Sequence, residues 1–417
     1  MFPGSVIRKL SHSEEVFAQY EVFTSMSIGL HGAVDVDALS EAFDALVAAH
    51  PVLASHLEPS PDGGYHLVSD DLLHSGVRVV DASNGTPSER SAVRLDQSVS
   101  LLNVLLTLGE ESSALTVYLH HSIADGHHGA GLLEELFTRY TNMVTSGEPG
   151  PVVPEPAPQS LEVVLEQRGV KRLGISGVER FMPVMFAYDL PAPEKPVFIA
   201  KPGSPQAVPV TRVRLTEQET ADLVAFSREN RVSVNTVVAA AILMTEWQLR
   251  KTPHVPIPYA YPVDLRFFLN PPVRPTESTN LVGAATYLAE IGADTDIIDL
   301  ATDIGATFRA DLADGLIQQS ALNFGVAFEG TPQGLPPLVF CTDVSAFPVP
   351  TPEGLELGEF QGQFFCSITV PLDFYGCGVH GGQMVIEHHG HIAAQDRLDA
   401  IRSLLCTVPS QYGWVME

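Results

Sequence analysis

The chain has 417 residues, too many for one ordinary hydrophobic core, so two domains are expected. Hydrophobic residues make up 45% and charged residues 18%, which excludes a disordered chain. A net charge of −27, from 50 acidic and 23 basic residues, excludes a general nucleic-acid binder.

From the N-terminus, Ser11 followed by Glu14 has the capping-box spacing and predicts a short helix. A strand follows over Val22–Leu30. Asp35 or Asp37 then opens a helix whose face is Leu39, Ala42, Phe43, Leu46 and Val47, ending by His50-Pro51. Short strands broken by proline and glycine fill Leu53–Val80. Leu101–Leu108 and Ala114–His120 read as an antiparallel hairpin. By strand alternation Leu115, Val117, Leu119 and His121 share one face, and His120 lies on the other. A helical period resumes after Gly126 and stops at Gly147. The proline-rich stretch Glu148–Pro158 is then the natural crossover linker. The expected division is 1–147, a linker over 148–175, and 176–417.

The second part predicts a strand at Thr211–Leu215, then a helix capped by Thr216 and Glu219 and another capped by Ser233. Strands near Ile257–Val263, Val282–Leu288 and Leu338–Thr342 flank a helix over Ile297–Leu312. Runs at Phe364–Leu372 and Gln383–His388 precede a last helix from Asp396 to Cys406. Mixed strands and helices in both parts make the class α/β or α+β. The four cysteines, Cys341, Cys366, Cys377 and Cys406, have no CxxC spacing and read as reduced, mostly buried thiols. No signal peptide or membrane-length apolar run is visible, so a cytoplasmic protein is expected. Asn84-Gly85-Thr86 then reads as a turn and not a glycan site.

Chemistry concentrates in His120-His121-Ser122-Ile123-Ala124-Asp125-Gly126. Three readings compete: polar caps of a strand–helix turn, a metal site using His120, His121, Asp125, His127 and His128, or an acid/base cluster. Ligands on opposite strand faces do not converge and the HExxH spacing is absent, so metal ranks last and none is expected. Imidazole titrates nearest neutral pH, and His121 beside a glycine turn suits a general base. Asp125 reads as a turn-holding carboxylate in preference to a catalytic one. No G-x-S-x-G elbow or Cys–His pair supplies a nucleophile, which favours direct transfer over a covalent intermediate. Gly376-Cys377-Gly378-Val379-His380-Gly381 matches GxGxxG, but a strand follows it where a dinucleotide site needs a helix. His388, His389 and His391 read as solvated hairpin-end histidines.

The stretch 120–126 is an HHxxxDG signature. With it go His50-Pro51-Val52-Leu53, Pro262-Val263-Asp264-Leu265-Arg266, Thr279-Asn280-Leu281-Val282-Gly283 and Asp373-Phe374-Tyr375-Gly376-Cys377-Gly378. On these the chain resembles the superfamily of chloramphenicol acetyltransferase and peptide-synthetase condensation domains. Within it, the chain is most similar to the mycobacterial polyketide-associated acyltransferases. The resemblance implies two similar chloramphenicol-acetyltransferase-like domains, mixed sheets flanked by helices, with a channel between them and His121 at its midpoint. It implies transfer of a long, mycocerosate-like acyl chain from the thioester of a polyketide synthase carrier domain, or of coenzyme A, to the hydroxyls of a lipid diol. An amide-forming condensation enzyme and a non-catalytic lipid binder are the alternatives. His120, Asp125, Gly126, Asp373 and Gly376 would support the motif. Ala49 and Ala54 stand where relatives often carry arginines, so the cation for Asp125 must come from elsewhere or be missing. Tyr375-Gly376-Cys377 likewise replaces Gly-Trp-Gly.

In such a transfer His121 Nε2 would take the alcohol proton while its other nitrogen donates to a carbonyl. Hydroxyls near Asp373 are candidate oxyanion donors. No cofactor is expected beyond the acyl-phosphopantetheine or coenzyme A thioester, and the protein is expected to be a monomer. An acidic carrier would dock on cations, chosen from Arg172, Arg231 and Arg309, with Arg168, Lys171 and Arg228 as neighbours.

Overall fold

The computed structural model describes residues 5–69, 76–82, 93–188, 190, 203–323, 336–343, 349–367 and 373–411. The Asn84 sequon and the end of the Phe364–Leu372 run lie outside these residues.

The strands are β1 (Ser5–Lys9), β2 (Phe23–His31), β3 (Ser55–Pro59), β4 (Tyr65–Ser69), β5 (Val77–Asp81), β6 (Leu102–Leu108) and β7 (Ser113–His120) in the first part. The second part carries β8 (Gln206–Ala207), β9 (Val210–Arg214), β10 (Ile257–Asp264), β11 (Val282–Ala289), β12 (Val339–Asp343), β13 (Glu356–Cys366), β14 (Asp373–His380) and β15 (Gln383–His389). The helices are α1 (His12–Gln19), α2 (Val36–Ala49), α3 (Gly126–Ser146), α4 (Leu161–Gln167), α5 (Met182–Ala187), α6 (Glu217–Glu229), α7 (Val234–Leu249), α8 (Ile297–Ala313), α9 (Leu316–Leu322) and α10 (Gln395–Gln411).

Two six-stranded mixed sheets carry the fold, in the orders β5-β6-β7-β2-β13-β8 and β11-β10-β12-β14-β15-β9. The apolar faces of α2 and α3 cover the first through Leu39, Phe43, Leu46, Leu133, Leu136 and Phe137, against Ile28, Leu30, Leu115 and Leu119. The second is covered by α6, α7, α8 and α10, with α7 buried nearly all round, as its Ala- and Val-rich sequence requires. A smaller sheet, β1-β4-β3, packs Leu57 and Leu67 into the core of the first.

The expected hairpin, helices and caps are present: Asp35 accepts from Ala38 N–H, Thr216 from Glu219 N–H, and Ser233 from Thr236 N–H. The stretch after Gly147 is irregular as far as Pro158. Yet the linker is not a boundary between sheets. β13 runs antiparallel along β2 from Glu356↔His31 to Phe365↔Phe23, and β8 extends that edge. Sequence alternation identifies a strand but not which sheet receives it.

Two other expectations change, and one helix is additional. His388 and His389 are buried on β15, not solvated at a turn, because β9 and β14 flank them and Phe374 stacks on His389. A helix between Leu316 and Leu322 carried too short a period to read. Strand alternation also does not reach His121: β7 ends at His120, and His121 lies in the following turn. No described helix is long and apolar enough to cross a membrane, and the bent pair α6–α7 that passes together is largely core.

Candidate active site

His121 is carried off the end of β7, where its N–H donates to Val22 O at 2.8 Å. Its ring stacks on Phe17 of α1, centroids 4.3 Å apart, and stays partly exposed. Burial pulls its pKa below the ordinary histidine value, with the nearby Asp125 carboxylate opposing the shift. The ring is therefore held neutral, as a base requires. Its Nδ1 is buried without a well-formed hydrogen bond among the described residues, but the ring lies close to its own carbonyl, the Asn280 amide and the Ala124 carbonyl, each of which favours its protonated form.

His120 differs in exposure and in its hydrogen bonds. It is fully buried, edge-on to Phe23. Ser122 N–H donates to its Nδ1 at 3.2 Å and Ser122 Oγ lies 2.7 Å away, so Nδ1 is an acceptor and the proton sits on Nε2. Burial, then the charge of His121, lowers its pKa to about 3. His120 is a buried neutral support of the turn.

Asp125 is the N-cap of α3, its Oδ1 accepting from His128 N–H at 2.9 Å. Oδ2 accepts from Leu281 N–H at 2.9 Å and from Arg266 Nη1 at 2.6 Å. The missing cation is thus Arg266, delivered by the segment after β10 and not by the His50-Pro51 region. Burial would raise this carboxyl, but Arg266 and the two N–H donors outweigh it and hold the pKa below the carboxylate range. The carboxylate makes no hydrogen bond to His121. Gly126 starts α3 beside it. His127 Nδ1 and Arg266 both reach Asp264, at 2.7 and 3.1 Å, and His128 Nδ1 donates to Ser278 O at 2.9 Å.

The segment Thr279-Asn280-Leu281 grips the motif residue by residue. Thr279 O accepts from Asp125 N–H at 2.9 Å, and its hydroxyl donates to the buried Glu14 at 2.7 Å. Asn280 Nδ2 donates to His121 O at 2.5 Å. Leu281 N–H takes Asp125. Glu14 also accepts two bonds from Arg8 and one from Ser11 N–H, which fixes α1 and with it Phe17. Gly283 is required where this segment meets α9: a Cβ there would lie 2.5 Å from Ile317 O. Nothing local in the sequence marks a contact across about 150 residues, so the role of this segment is not legible there.

The remaining candidates are elsewhere. Asp373, at the start of β14, bonds Arg397 at 2.8 Å and Arg250 at 3.2 Å. Burial would raise it, yet His388 and the two arginines hold it at about 2. The Tyr375 hydroxyl is committed to Glu246, so it is not a free oxyanion donor. Gly376 lies mid-strand opposite Glu387, and the GxGxxG match runs along β14 into its turn. Arg231 is exposed between α6 and α7 in a left-handed conformation (φ 56°). Arg309 is exposed on α8, its guanidinium over Gly305, which also borders Thr236 in the first turn of α7. These two cations are thus brought near one helix start. Arg172, Lys171 and Arg228 are exposed, whereas Arg168 is engaged by Pro271 O and Glu277. Among the described residues no three metal-ligating side chains converge.

A family model described as phthiocerol/phthiodiolone dimycocerosyl transferase C-terminus matches residues 204–400. Over their full lengths the chain is 68% identical, across 422 positions, to the phthiocerol/phthiodiolone dimycocerosyl transferase of Mycobacterium tuberculosis (strain ATCC 25618 / H37Rv). It is 69% identical, across 423 positions, to that of Mycobacterium leprae (strain TN). The solved structure of polyketide synthase associated protein 5 from Mycobacterium tuberculosis superposes with TM-score 0.90 at 66% identity, covering 99% of this chain and 100% of that one. The first condensation domain of the calcium-dependent antibiotic synthetase shares the fold alone, at TM-score 0.67 and 14% identity over 98% and 97% of the two chains. The HHxxxDG motif, its arginine anchor and the paired mixed sheets thus sit in an acyltransferase of phthiocerol lipid biosynthesis, and the chain belongs to the phthiocerol/phthiodiolone dimycocerosyl transferase family.

Proposed function

We propose that the enzyme moves a long polyketide-derived acyl group from the phosphopantetheine thioester of a carrier domain directly to the hydroxyls of a lipid diol, with His121 as the base. The observation carrying this reading is the contrast between the two histidines. His120 is sealed and bonded through Nδ1, whereas His121 is partly exposed at the junction of both parts and held neutral by burial.

In this mechanism Nε2 of His121 takes the hydroxyl proton as oxygen attacks the thioester carbon. The tetrahedral intermediate expels the thiolate, and the imidazolium returns its proton to that sulfur. The rest of the motif positions the ring: Asp125 and Arg266 hold the turn, and Phe17 holds the imidazole plane. Access is through a channel between the two parts, and no cofactor takes part beyond the donor thioester. The carrier domain, acidic like this chain, docks at Arg231 and Arg309, with Arg172 the lesser candidate. The enzyme acts as a cytoplasmic monomer.

The test mixes the protein with a long-chain acyl thioester and a panel of alcohols and amines, and follows products by mass spectrometry. Ester from alcohols, lost in His121→Ala, supports the reading. Amide from amines in preference to ester, or undiminished ester formation by His121→Ala, overturns it.

A further inference from the structure

The role left open at the site is that of the group that orients the base. A carboxylate ordinarily fills it, but both oxygens of Asp125 are taken by Arg266, Leu281 N–H and His128 N–H. We propose that Asn280 is the positioning residue of His121: one end of its amide holds the His121 carbonyl, and the other takes the ring Nδ1–H, leaving Nε2 free as the base. This rests on His121 being the base.

Three observations converge. First, Asn280 Nδ2 donates to His121 O at 2.5 Å, so the amide is already anchored to the residue whose ring it would orient. Second, Asn280 is only 4% exposed, and its Oδ1 is buried with no hydrogen bond among the described residues. His121 Nδ1 is buried and unpartnered in the same way. A buried acceptor and a buried ring nitrogen, both unmade, are costly, and one bond between them satisfies both. Burial lowers the pKa of the ring, and the Asn280 side chain lies close enough to oppose that shift, alongside the carbonyls of His121 and Ala124. Third, Asn280 cannot drift, because Thr279 and Leu281 on either side are tied to Asp125 and Glu14.

A neutral imidazole has a single N–H. Placed on Nδ1 and donated to Asn280 Oδ1, it leaves the Nε2 lone pair for the alcohol proton. A neutral amide does this without the strong upward pKa pull of a carboxylate, so the ring stays unprotonated at pH 7.

The full-length enzyme is assayed with a long-chain acyl-coenzyme A and a primary fatty alcohol, comparing wild type, Asn280→Ala and Asn280→Asp after thermal melts confirm folding. Asn280→Ala should lower kcat by about 10²-fold with KM for both substrates little changed, as for a misplaced catalytic group. The acid limb of kcat/KM should move to lower pH in Asn280→Ala and to higher pH in Asn280→Asp, where a carboxylate faces the ring. A merely structural asparagine would change melting temperature without moving that limb. Nitrogen NMR of 15N-histidine-labelled wild type, with His121 assigned by its absence in His121→Gln, should show the proton on Nδ1. Wild-type kcat and acid limb in both variants, or a proton on Nε2 in the wild type, overturn the assignment. If Asn280→Ala does not fold, the Asp variant and the wild-type tautomer decide. Activity surviving in His121→Ala removes the base itself. An inactive His121→Ala beside wild-type Asn280 variants removes only the role of Asn280.

Discussion

Arg266 and Asp125 stand 141 residues apart in the chain and close a 2.6 Å ion pair in which neither side chain exceeds 4% exposure. The pair fastens the turn carrying His121 to the segment that follows β10. Removing one member of a buried pair leaves the other charge uncompensated, which costs about 3–5 kcal/mol. Arg266→Ala should therefore destabilise by that order in urea titrations. Asp125→Asn should cost less, since Arg266 keeps Asp264. Activity should fall in step with lost stability. An Asp125→Asn enzyme as stable as wild type but inactive would place Asp125 in the chemistry. Because the Asp125 pKa is depressed on folding, its contribution is present above the unfolded carboxylate pKa of about 3.9 and is lost as pH falls through the folded value.

His121→Ala should fold normally and lose roughly 10²–10⁴ in kcat, the usual worth of general base catalysis. Burial lowers the pKa of His121, so the acid limb of the wild-type profile should lie below the free imidazole value of about 6.5. Activity should hold at neutral pH and decline on the acid side of that value. A limb above pH 7 would contradict a desolvated base.

Acid stability should reveal the buried histidines. His120 and His128 have pKa values pulled by burial to about 3 and about 4. Each must take a proton when the chain unfolds at mildly acid pH. Their stabilising contribution is therefore complete above about pH 6.5 and declines as pH falls towards the folded values. Urea midpoints measured from pH 7 to pH 4.5 should fall, and His120→Asn should flatten the slope. An unchanged slope in that variant would mean His120 does not titrate on unfolding.

Charge reversal should separate docking from chemistry. Arg309→Glu and Arg231→Glu should each raise KM for a carrier-bound thioester by about tenfold, while leaving kcat/KM for the coenzyme A thioester close to wild type. Arg172→Glu should do so more weakly. Equal losses with both donors would argue against a carrier site at these cations.

What could be read from the sequence was what is local. The caps at Asp35, Thr216 and Ser233 bond N–H groups three residues on, and the α2 stripe follows a helical period. Each therefore carries its own signature. The motif pointed to His121 for a similar reason, since a strand, a glycine and a helix start are adjacent in the chain. The anchors of the site were not legible. Arg266 and Asn280 look like ordinary polar residues until β10 and β11 carry their segment to the end of β7. Glu14 read as a helix cap, but it is also the buried hub joining Arg8 to Thr279. Alternation placed His121 on the core face because it assumes the strand continues, and β7 stops one residue short.

The placement of β13 beside β2 bears on how the chain is made. The nascent first part emerges with β2 as a bare edge, its N–H and C=O groups on one side open to any strand that meets them. Its native neighbour is synthesised more than 300 residues later, a wait of roughly 15 to 65 s at 5–20 residues per second. A ribosome stalled after residue 147, or a truncated gene, would release a half-sheet prone to self-association. Early release of that kind should be met by chaperone capture or by aggregation, and adding the 349–411 segment in trans should relieve it.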